Sequence, residues 1–79
     1  MKKEYKTKWG KKLRKARAEM ELTLSEAVKL LYEEHKIKLD PAQLARVERG
    51  ESDCAVEKFR ALCDIYDVSP SWILDLKST

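Results

Sequence analysis

The sequence predicts an all-α protein, and two observations lead to this prediction. Gly and Pro occur only twice each among the 79 residues, too few for the many turns of a β-sandwich or barrel. Large apolar residues recur at intervals of three and four, a spacing that places them on one face of a helix. Because this length is typical of one domain, we expect a single domain over residues 1–79 that contains five helices.

The first predicted helix covers about residues 8–20. Its buried face would consist of Trp9, Leu13, Ala16 and Met20. Its opposite face would present Lys11, Lys12, Lys15 and Ala18. We expect residues 1–7 to precede this helix as a basic N-terminal arm.

The second helix has a clear start signal in the T-x-x-E capping box of Thr23 and Glu26. It would end near Glu34 or Lys36. Its apolar stripe would consist of Leu24, Ala27, Val28 and Leu31, with Leu30 at its edge.

The third helix is predicted to begin at Pro41. Asp40 offers an N-cap acceptor, proline suits the first helical position, and Gln43 follows three residues after the cap. Leu44 and Val47 would face the core, and Gly50 would end the helix.

Two further helices complete the prediction. The fourth, near residues 55–66, would follow Asp53 as the acceptor before its first turn and bury Val56, Phe59, Leu62, Cys63 and Tyr66. Ser69 and Pro70 repeat the cap-plus-proline pattern and predict a short fifth helix. That helix contains Trp72, Ile73 and Leu76.

The net charge of +3 is unevenly distributed along the chain. Residues 1–17 contain nine Lys or Arg and one acid, Glu4, whereas residues 18–79 contain eight Lys or Arg and thirteen acids. A basic block of this kind is either a solvated surface or a surface that attracts phosphates by releasing condensed counterions.

Several functional classes lack their sequence signals. Cys54 and Cys63 are not arranged as a C-x-x-C pair, and the chain has one histidine, so we expect no metal site, no cofactor and reduced thiols. There is no G-x-S-x-G motif and no phosphate-binding glycine loop, so the protein is not expected to be an enzyme. Without an apolar run long enough for a membrane span or a signal peptide, we expect no membrane association and a cytoplasmic location.

The chain resembles the Cro and phage-repressor type of helix-turn-helix protein, the xenobiotic-response-element family. The similar segments are Trp9-Gly10-x-x-Leu13-Arg14-x-x-Arg17, Leu22-Thr23, Leu44-x-x-Val47-Glu48-Arg49-Gly50 and Phe59-x-x-Leu62-x-x-x-Tyr66-Asp67-Val68-Ser69-x-x-Trp72-Ile73-Leu74. The resemblance implies a five-helix, lambda-repressor-like domain that binds double-stranded DNA, with helix 41–49 as the recognition helix in the major groove.

This sequence departs from the family pattern at three places. The segment between Val28 and Leu44 is about six residues longer than in the usual two-helix motif, which predicts an extended second helix and a loop from His35 to Leu39. Glu21 stands where the family usually has glycine, and Leu24 stands where it often has a glutamine that contacts phosphate.

The candidate DNA-binding residues lie on and before the third helix. If Leu44 and Val47 face inward, the helix turns Ala42, Gln43, Arg46 and Arg49 outward. Arg46 could donate two hydrogen bonds to guanine, Gln43 could pair with adenine, and Ala42 could contact a thymine methyl group. The resemblance implies that Pro41, Ala42 and Arg46 point at bases.

The flanking cations have other expected roles. Lys36 and Lys38 are placed to hold phosphates, contacts that fix position without reading sequence. The alternative for Arg46 and Arg49 is a solvated helix face on which they pair with local acids such as Glu51.

Three other interpretations concern structure and assembly. The resemblance implies that Arg17 and Glu48 form a structural ion pair. It also implies a homodimer formed by the last helix, with Trp72 and Leu76 in the interface, although Trp72 could instead belong to the core. The lone histidine, His35, is expected to be exposed to solvent.

The predicted function is that of a sequence-specific DNA-binding transcriptional regulator, a repressor in preference to an activator. The alternative is a protein-interaction module, such as an antitoxin or an adaptor built on the same fold. The apolar Pro41-Ala42 start of the third helix and the long second helix favour this alternative.

Overall fold

The computed structural model describes the backbone of residues 2–74 and the side chains of residues 9–73. Five helices follow one another in this part of the chain: α1 (Lys2–Glu19), α2 (Leu24–His35), α3 (Pro41–Glu48), α4 (Val56–Ile65) and α5 (Pro70–Leu74). Residues 2–74 contain no strand. The prediction of an all-α fold with five helices is therefore confirmed.

The start of α2 has the predicted capping box. The side chain of Thr23 accepts a hydrogen bond from the Glu26 amide at 3.1 Å, and the Glu26 carboxylate accepts one from the Thr23 amide at 2.9 Å. Both bonds satisfy amides that have no partner within the helix.

The starts of α3 and α5 also lie where the sequence predicts them. The Gln43 side chain accepts a hydrogen bond from the Asp40 amide at 3.2 Å, and Pro41 is the first residue of α3. Before α5, the Ser69 hydroxyl accepts a hydrogen bond from the Trp72 amide at 3.1 Å.

Several boundaries and end residues differ from the predictions. Helix α1 begins at Lys2 and includes the segment that we predicted as an arm; no Gly or Pro interrupts the helix before Gly10. The N-cap of α4 is Ala55, which has no side-chain acceptor. Met20 and Val56, both expected to be buried, are 45% and 71% exposed. Met20 follows the last residue of α1 and Val56 is the first residue of α4, so neither continues the buried face of its helix.

Three helices end in a turn with a non-glycine residue in the left-handed region. Glu21, Lys36 and Asp67 have φ angles of 58°, 57° and 56° and follow α1, α2 and α4. Glycine is the residue best suited to this conformation. The position where the resemblance has glycine, Glu21, therefore has the backbone angle that glycine favours.

The core lies where all five helices meet. Helix α3 packs against α1 and α2, α2 also packs against α4, and α5 packs against α1 and α4. An edge-to-face contact of Trp9 and Phe59, with ring centroids 5.2 Å apart, links α1 to α4. The largest fully buried side chains are Tyr66, Leu13, Leu31, Leu44, Leu62, Ile73 and Cys63.

No helix within residues 2–74 combines the length and the apolar character that crossing a membrane requires.

Candidate nucleic-acid interface

Helix α3 has one buried face and one exposed face. Leu44, Val47 and Glu48 are buried. Ala42, Gln43, Arg46 and Arg49 are exposed, and Pro41 is half-buried at the first turn. Positions 42, 46 and 49 follow the three- and four-residue spacing of one helix face, so Ala42, Arg46 and Arg49 lie along the same exposed side.

Arg46 is the available cation at the centre of this exposed side. Its side chain forms no hydrogen bond or salt bridge with a described residue, although its positive charge helps to lower the pKa of the Glu51 carboxyl group. A guanidinium has five N–H donors in a planar arrangement that suits two parallel hydrogen bonds to one acceptor edge. Arg46 can therefore bind a base edge or a phosphate without first breaking a contact within the protein.

Arg49, at the end of the same side, is engaged by a neighbour. Its Nε and Nη2 donate to the two carboxylate oxygens of Glu51 at 3.0 Å and 3.1 Å. This hydrogen bonding raises the pKa of Arg49 and lowers the pKa of Glu51. Both side chains are exposed, and ion pairs in that setting are weak. Of the two interpretations considered above, pairing with a local acid therefore describes Arg49. The Arg46 side chain forms no such hydrogen-bonded pair with a described residue.

The buried face of α3 is tied to α1 by an ion pair. Nε and Nη2 of Arg17 donate to the two oxygens of Glu48 at 2.8 Å and 2.9 Å, and Nη1 donates to the carbonyl of Leu22 at 2.9 Å. The hydrogen bond from Arg17 to Glu48 is the main reason why the pKa of Arg17 is raised. Arg17 and Glu48 are thus paired as expected, and the same arginine also holds the chain just before α2.

A close backbone approach sets the distance between the same two helices. A Cβ atom placed on Gly10 would lie 2.6 Å from the carbonyl oxygens of both Val47 and Glu48. Real Cβ atoms essentially never come this close to a backbone oxygen. Gly10 therefore allows α1 and the C-terminal end of α3 to touch through their backbones.

A third buried group lies close to the ion pair. The hydroxyl oxygen of Tyr66 is buried and has no hydrogen-bond partner among the described residues. Burial raises the pKa of Tyr66, and the negative charge of Glu48 adds to the increase. On this side of α3, the Glu48 carboxylate therefore interacts with both the Arg17 guanidinium and the buried Tyr66 hydroxyl, where the backbones of α1 and α3 touch.

The basic face of α1 differs from its predicted composition. Lys11, Arg14 and Lys15 are exposed. Lys12, which was predicted on this face, is half-buried and donates a hydrogen bond to the Trp72 carbonyl at 3.0 Å. Lys11 and Arg14 line an open groove of about 510 Å³ beside Arg49. This groove brings cations of α1 close to Arg49, the residue after α3, and its lining also includes the carboxylates of Glu48 and Glu51.

The predicted dimer residues can be described only in part. Trp72 is 39% exposed, and the ammonium group of Lys12 lies 5.2 Å from the centre of its ring. Ile73 next to it is buried. Leu76, the other predicted interface residue, lies outside the described residues.

Sequence analysis missed a cluster on the other side of α3. Lys38 is exposed, as expected for a phosphate contact, but its ammonium group lies 5.9 Å from the centre of the Tyr32 ring. The ammonium group of Lys36 lies 5.5 Å from the same ring. The spacing of Tyr32 from the two lysines gave no reason to connect them.

His35 is not the solvated side chain that we expected. Its side chain is 30% exposed, and Nε2 lies 2.9 Å from a carboxylate oxygen of Asp64 on α4. Glu34 brings a third possible metal ligand, and the ligand atoms of these three residues lie within 4.8 Å of one another. The hydrogen bond between His35 and Asp64 connects the end of α2 to α4.

Comparisons with protein-family models, curated proteins and solved structures found no match to this chain. The arrangement of its own residues is therefore the basis for the functional proposal.

Proposed function

We propose that this protein is a sequence-specific, double-stranded-DNA-binding transcriptional regulator that acts as a cytoplasmic repressor. Its fold would be of the lambda-repressor-like helix-turn-helix kind, with α3 as the recognition helix in the major groove. One observation carries the proposal: α3 has a buried face that is tied to α1 and an exposed face on which the Arg46 side chain has no hydrogen-bond or salt-bridge partner among the described residues.

In the proposed complex, α3 reads the bases through a small number of side chains. Arg46 donates two hydrogen bonds to O6 and N7 of a guanine, and Gln43 pairs with an adenine. Ala42 contacts a thymine methyl group, and Pro41 packs beside it. Because Pro41 and Ala42 cannot donate side-chain hydrogen bonds, most of the discrimination comes from Arg46.

The surrounding cations hold the phosphates. Lys11 and Arg14 on one side of α3 and Lys38 on the other are exposed. Arg49 joins them when a phosphate replaces the exposed carboxylate of Glu51. Such contacts fix the orientation of the protein without reading sequence, and they make affinity fall steeply as salt concentration rises.

The test is selection of bound sequences from random duplex DNA with the purified chain. We expect enrichment of an inverted repeat whose half-sites contain a guanine, and loss of preference at that guanine with Arg46→Ala. Arg60→Ala provides the matched control, because Arg60 is an exposed arginine of α4. Failure to enrich any sequence, or equal enrichment by the wild type and Arg46→Ala, would contradict the proposal.

A protein-interaction module remains the second candidate function. The exposure of four large apolar or aromatic side chains favours it: Met20, Tyr32, Val56 and Trp72. A module that binds only a protein partner would select no DNA sequence in the same experiment.

A further inference from the structure

Two lysines share one exposed tyrosine next to the start of α3. The ammonium groups of Lys36 and Lys38 lie 5.5 Å and 5.9 Å from the centre of the Tyr32 ring, and Tyr32 is 45% exposed. Cations at such distances are attracted by the negative face of the ring. The ring therefore holds two like charges on the same part of the surface.

The loop that contains the lysines is fixed at both ends. The Lys36 amide donates to the Tyr32 carbonyl at 2.9 Å, and the Asp40 amide donates to the Gln43 side chain at 3.2 Å. Between them, Ile37 and Leu39 are half-buried and pack against the core. The alternation of exposed lysine and half-buried apolar residue directs both lysines away from the core.

Lys36 occupies a backbone position that disfavours lysine. Its φ angle is 57°, in the left-handed region where glycine is preferred. Glu21 and Asp67 have the same conformation after α1 and α4, so this angle is a feature of the helix ends. Here the side chain that glycine would lack is one of the two cations on the Tyr32 ring.

The cluster adjoins the exposed face of α3. Tyr32, Lys38 and Gln43 line one open groove of about 460 Å³. Neither Lys36 nor Lys38 forms an ion pair with a described residue, so their charges are not neutralised there. Compact ammonium groups that are free to turn suit phosphate oxygens more than a particular base edge.

We propose that Tyr32, Lys36 and Lys38 form a binding site for the DNA phosphate backbone that flanks the base pairs read by α3, an inference that rests on the proposed function. The lysines contact the phosphates, and Tyr32 is a positioning residue that keeps both ammonium groups beside its ring. The site raises affinity for every sequence alike.

The first experiment measures the salt dependence of binding to a fluorescein-labelled, mixed-sequence duplex. With Lys36→Gly/Lys38→Gln, we expect the slope of log affinity against log KCl concentration to become less steep by about 0.9 for each phosphate that the variant no longer neutralises. Arg60→Gln removes one positive charge from a different groove and should leave the slope unchanged. Tyr32→Leu should weaken binding, and Tyr32→Phe, which keeps the ring, should restore it.

The second experiment separates this role from a structural one. Lys36→Gly alone relieves the backbone and should raise the melting temperature while weakening DNA binding. Glu21→Gly gives the same relief at φ 58° without removing a lysine, so it should raise the melting temperature and leave binding undiminished. If Lys36 had only a structural role, Lys36→Gly would change the melting temperature and the DNA affinity in the same direction.

The possible outcomes distinguish the two proposals. If the wild type binds no duplex, both are wrong. If Arg46→Ala alters sequence preference but the lysine variants keep the wild-type slope, only the phosphate site is overturned. Equal displacement of the duplex by poly-L-glutamate, at matched negative charge, would indicate an acidic protein partner and would also overturn it.

Discussion

The two faces of α3 differ in how many contacts hold them. On the buried face, Glu48 receives two hydrogen bonds from Arg17 and the backbone passes against Gly10. On the exposed face, the Arg46 side chain has no hydrogen-bond or salt-bridge partner among the described residues. The contacts that fix the position of α3 are therefore made by a different set of residues from those that its exposed face presents to solvent.

Two arginines illustrate this difference. Arg17 makes three hydrogen bonds within the protein, whereas Arg46, of identical chemistry, makes none with a described residue. Residue type alone cannot tell the two arginines apart. The geometry separates a group that positions a helix from a group that is free to bind.

The largest effect is expected when Arg17 loses its partner. Glu48→Ala should lower the free energy of unfolding by at most roughly 3–5 kcal/mol, the cost of breaking a fully buried ion pair, because a partly buried guanidinium is left without its carboxylate. Urea denaturation checks this. Arg17→Met combined with Glu48→Met should recover part of the loss, since no charge is then buried alone; equal instability of both variants would mean that packing, not charge, is decisive.

A methyl group at Gly10 should affect both faces at once. Gly10→Ala pushes against two backbone oxygens of α3 and should cost roughly 1–3 kcal/mol of stability, as overpacking does. Because the helix must move, DNA affinity should fall as well. Thermal unfolding and anisotropy titration measure the two effects, and Ala18→Ser, at an exposed position of α1, is the control because it changes no charge. Unchanged affinity in a destabilised Gly10→Ala protein would show that the position of α3 does not depend on this contact.

A substitution on the exposed face should change DNA binding without changing the stability of the protein. Arg46→Ala should lose roughly 1–3 kcal/mol of discrimination at one base pair, with stability altered by no more than about 0.5 kcal/mol. Competition titration with matched and mismatched duplexes, together with urea denaturation, tests both statements. A destabilised Arg46→Ala variant would erase the distinction between the two faces.

Because the exposed face of one α3 reads few base pairs, we expect two chains to bind one inverted repeat, with half-sites one helical turn apart. Trp72→Ala should weaken this assembly by about 1 kcal/mol or more. Sedimentation of the DNA complex checks the stoichiometry. One chain on a selected site without two-fold symmetry would refute the dimer.

A further effect is expected at alkaline pH, where two buried groups of the core titrate. Burial raises the pKa of Cys63 from 9.0 to about 11 and also raises the pKa of Tyr66. As pH rises from 9.0 to about 11, the unfolded chain releases the thiol proton that the folded chain retains, so the free energy of unfolding should decrease. Urea denaturation across this range, with Cys63→Ala as a shallower reference, measures the change.

Sequence patterns predicted the features that depend on near neighbours. The caps at Thr23 and Ser69 involve partners three residues away, and local rules describe such contacts well. The predicted burial of Met20 and Val56 was wrong, because helical spacing does not show at which residue the buried face of a helix ends.

Contacts between distant segments could not be predicted in the same way. His35 meets Asp64 across 29 positions, and Lys12 reaches Trp72 across 60. The pair of Arg17 and Glu48 was predicted only through the family resemblance, because charge alone would have assigned both residues to the surface. The proximity of Lys36 and Lys38 to the Tyr32 ring could be found only from the geometry of the loop.

The third hydrogen bond of Arg17 has a consequence for the entropy of association. By binding the Leu22 carbonyl as well as Glu48, one side chain joins α1, the C-terminal end of α3 and the chain before α2. Ordering a loose side chain on binding costs about 0.5–1.5 kcal/mol, and this scaffold is already ordered in the free protein. Most of the conformational entropy lost on DNA binding should therefore come from the exposed side chains and the DNA. We expect the backbone of α3 to have the same conformation in the free and the bound protein.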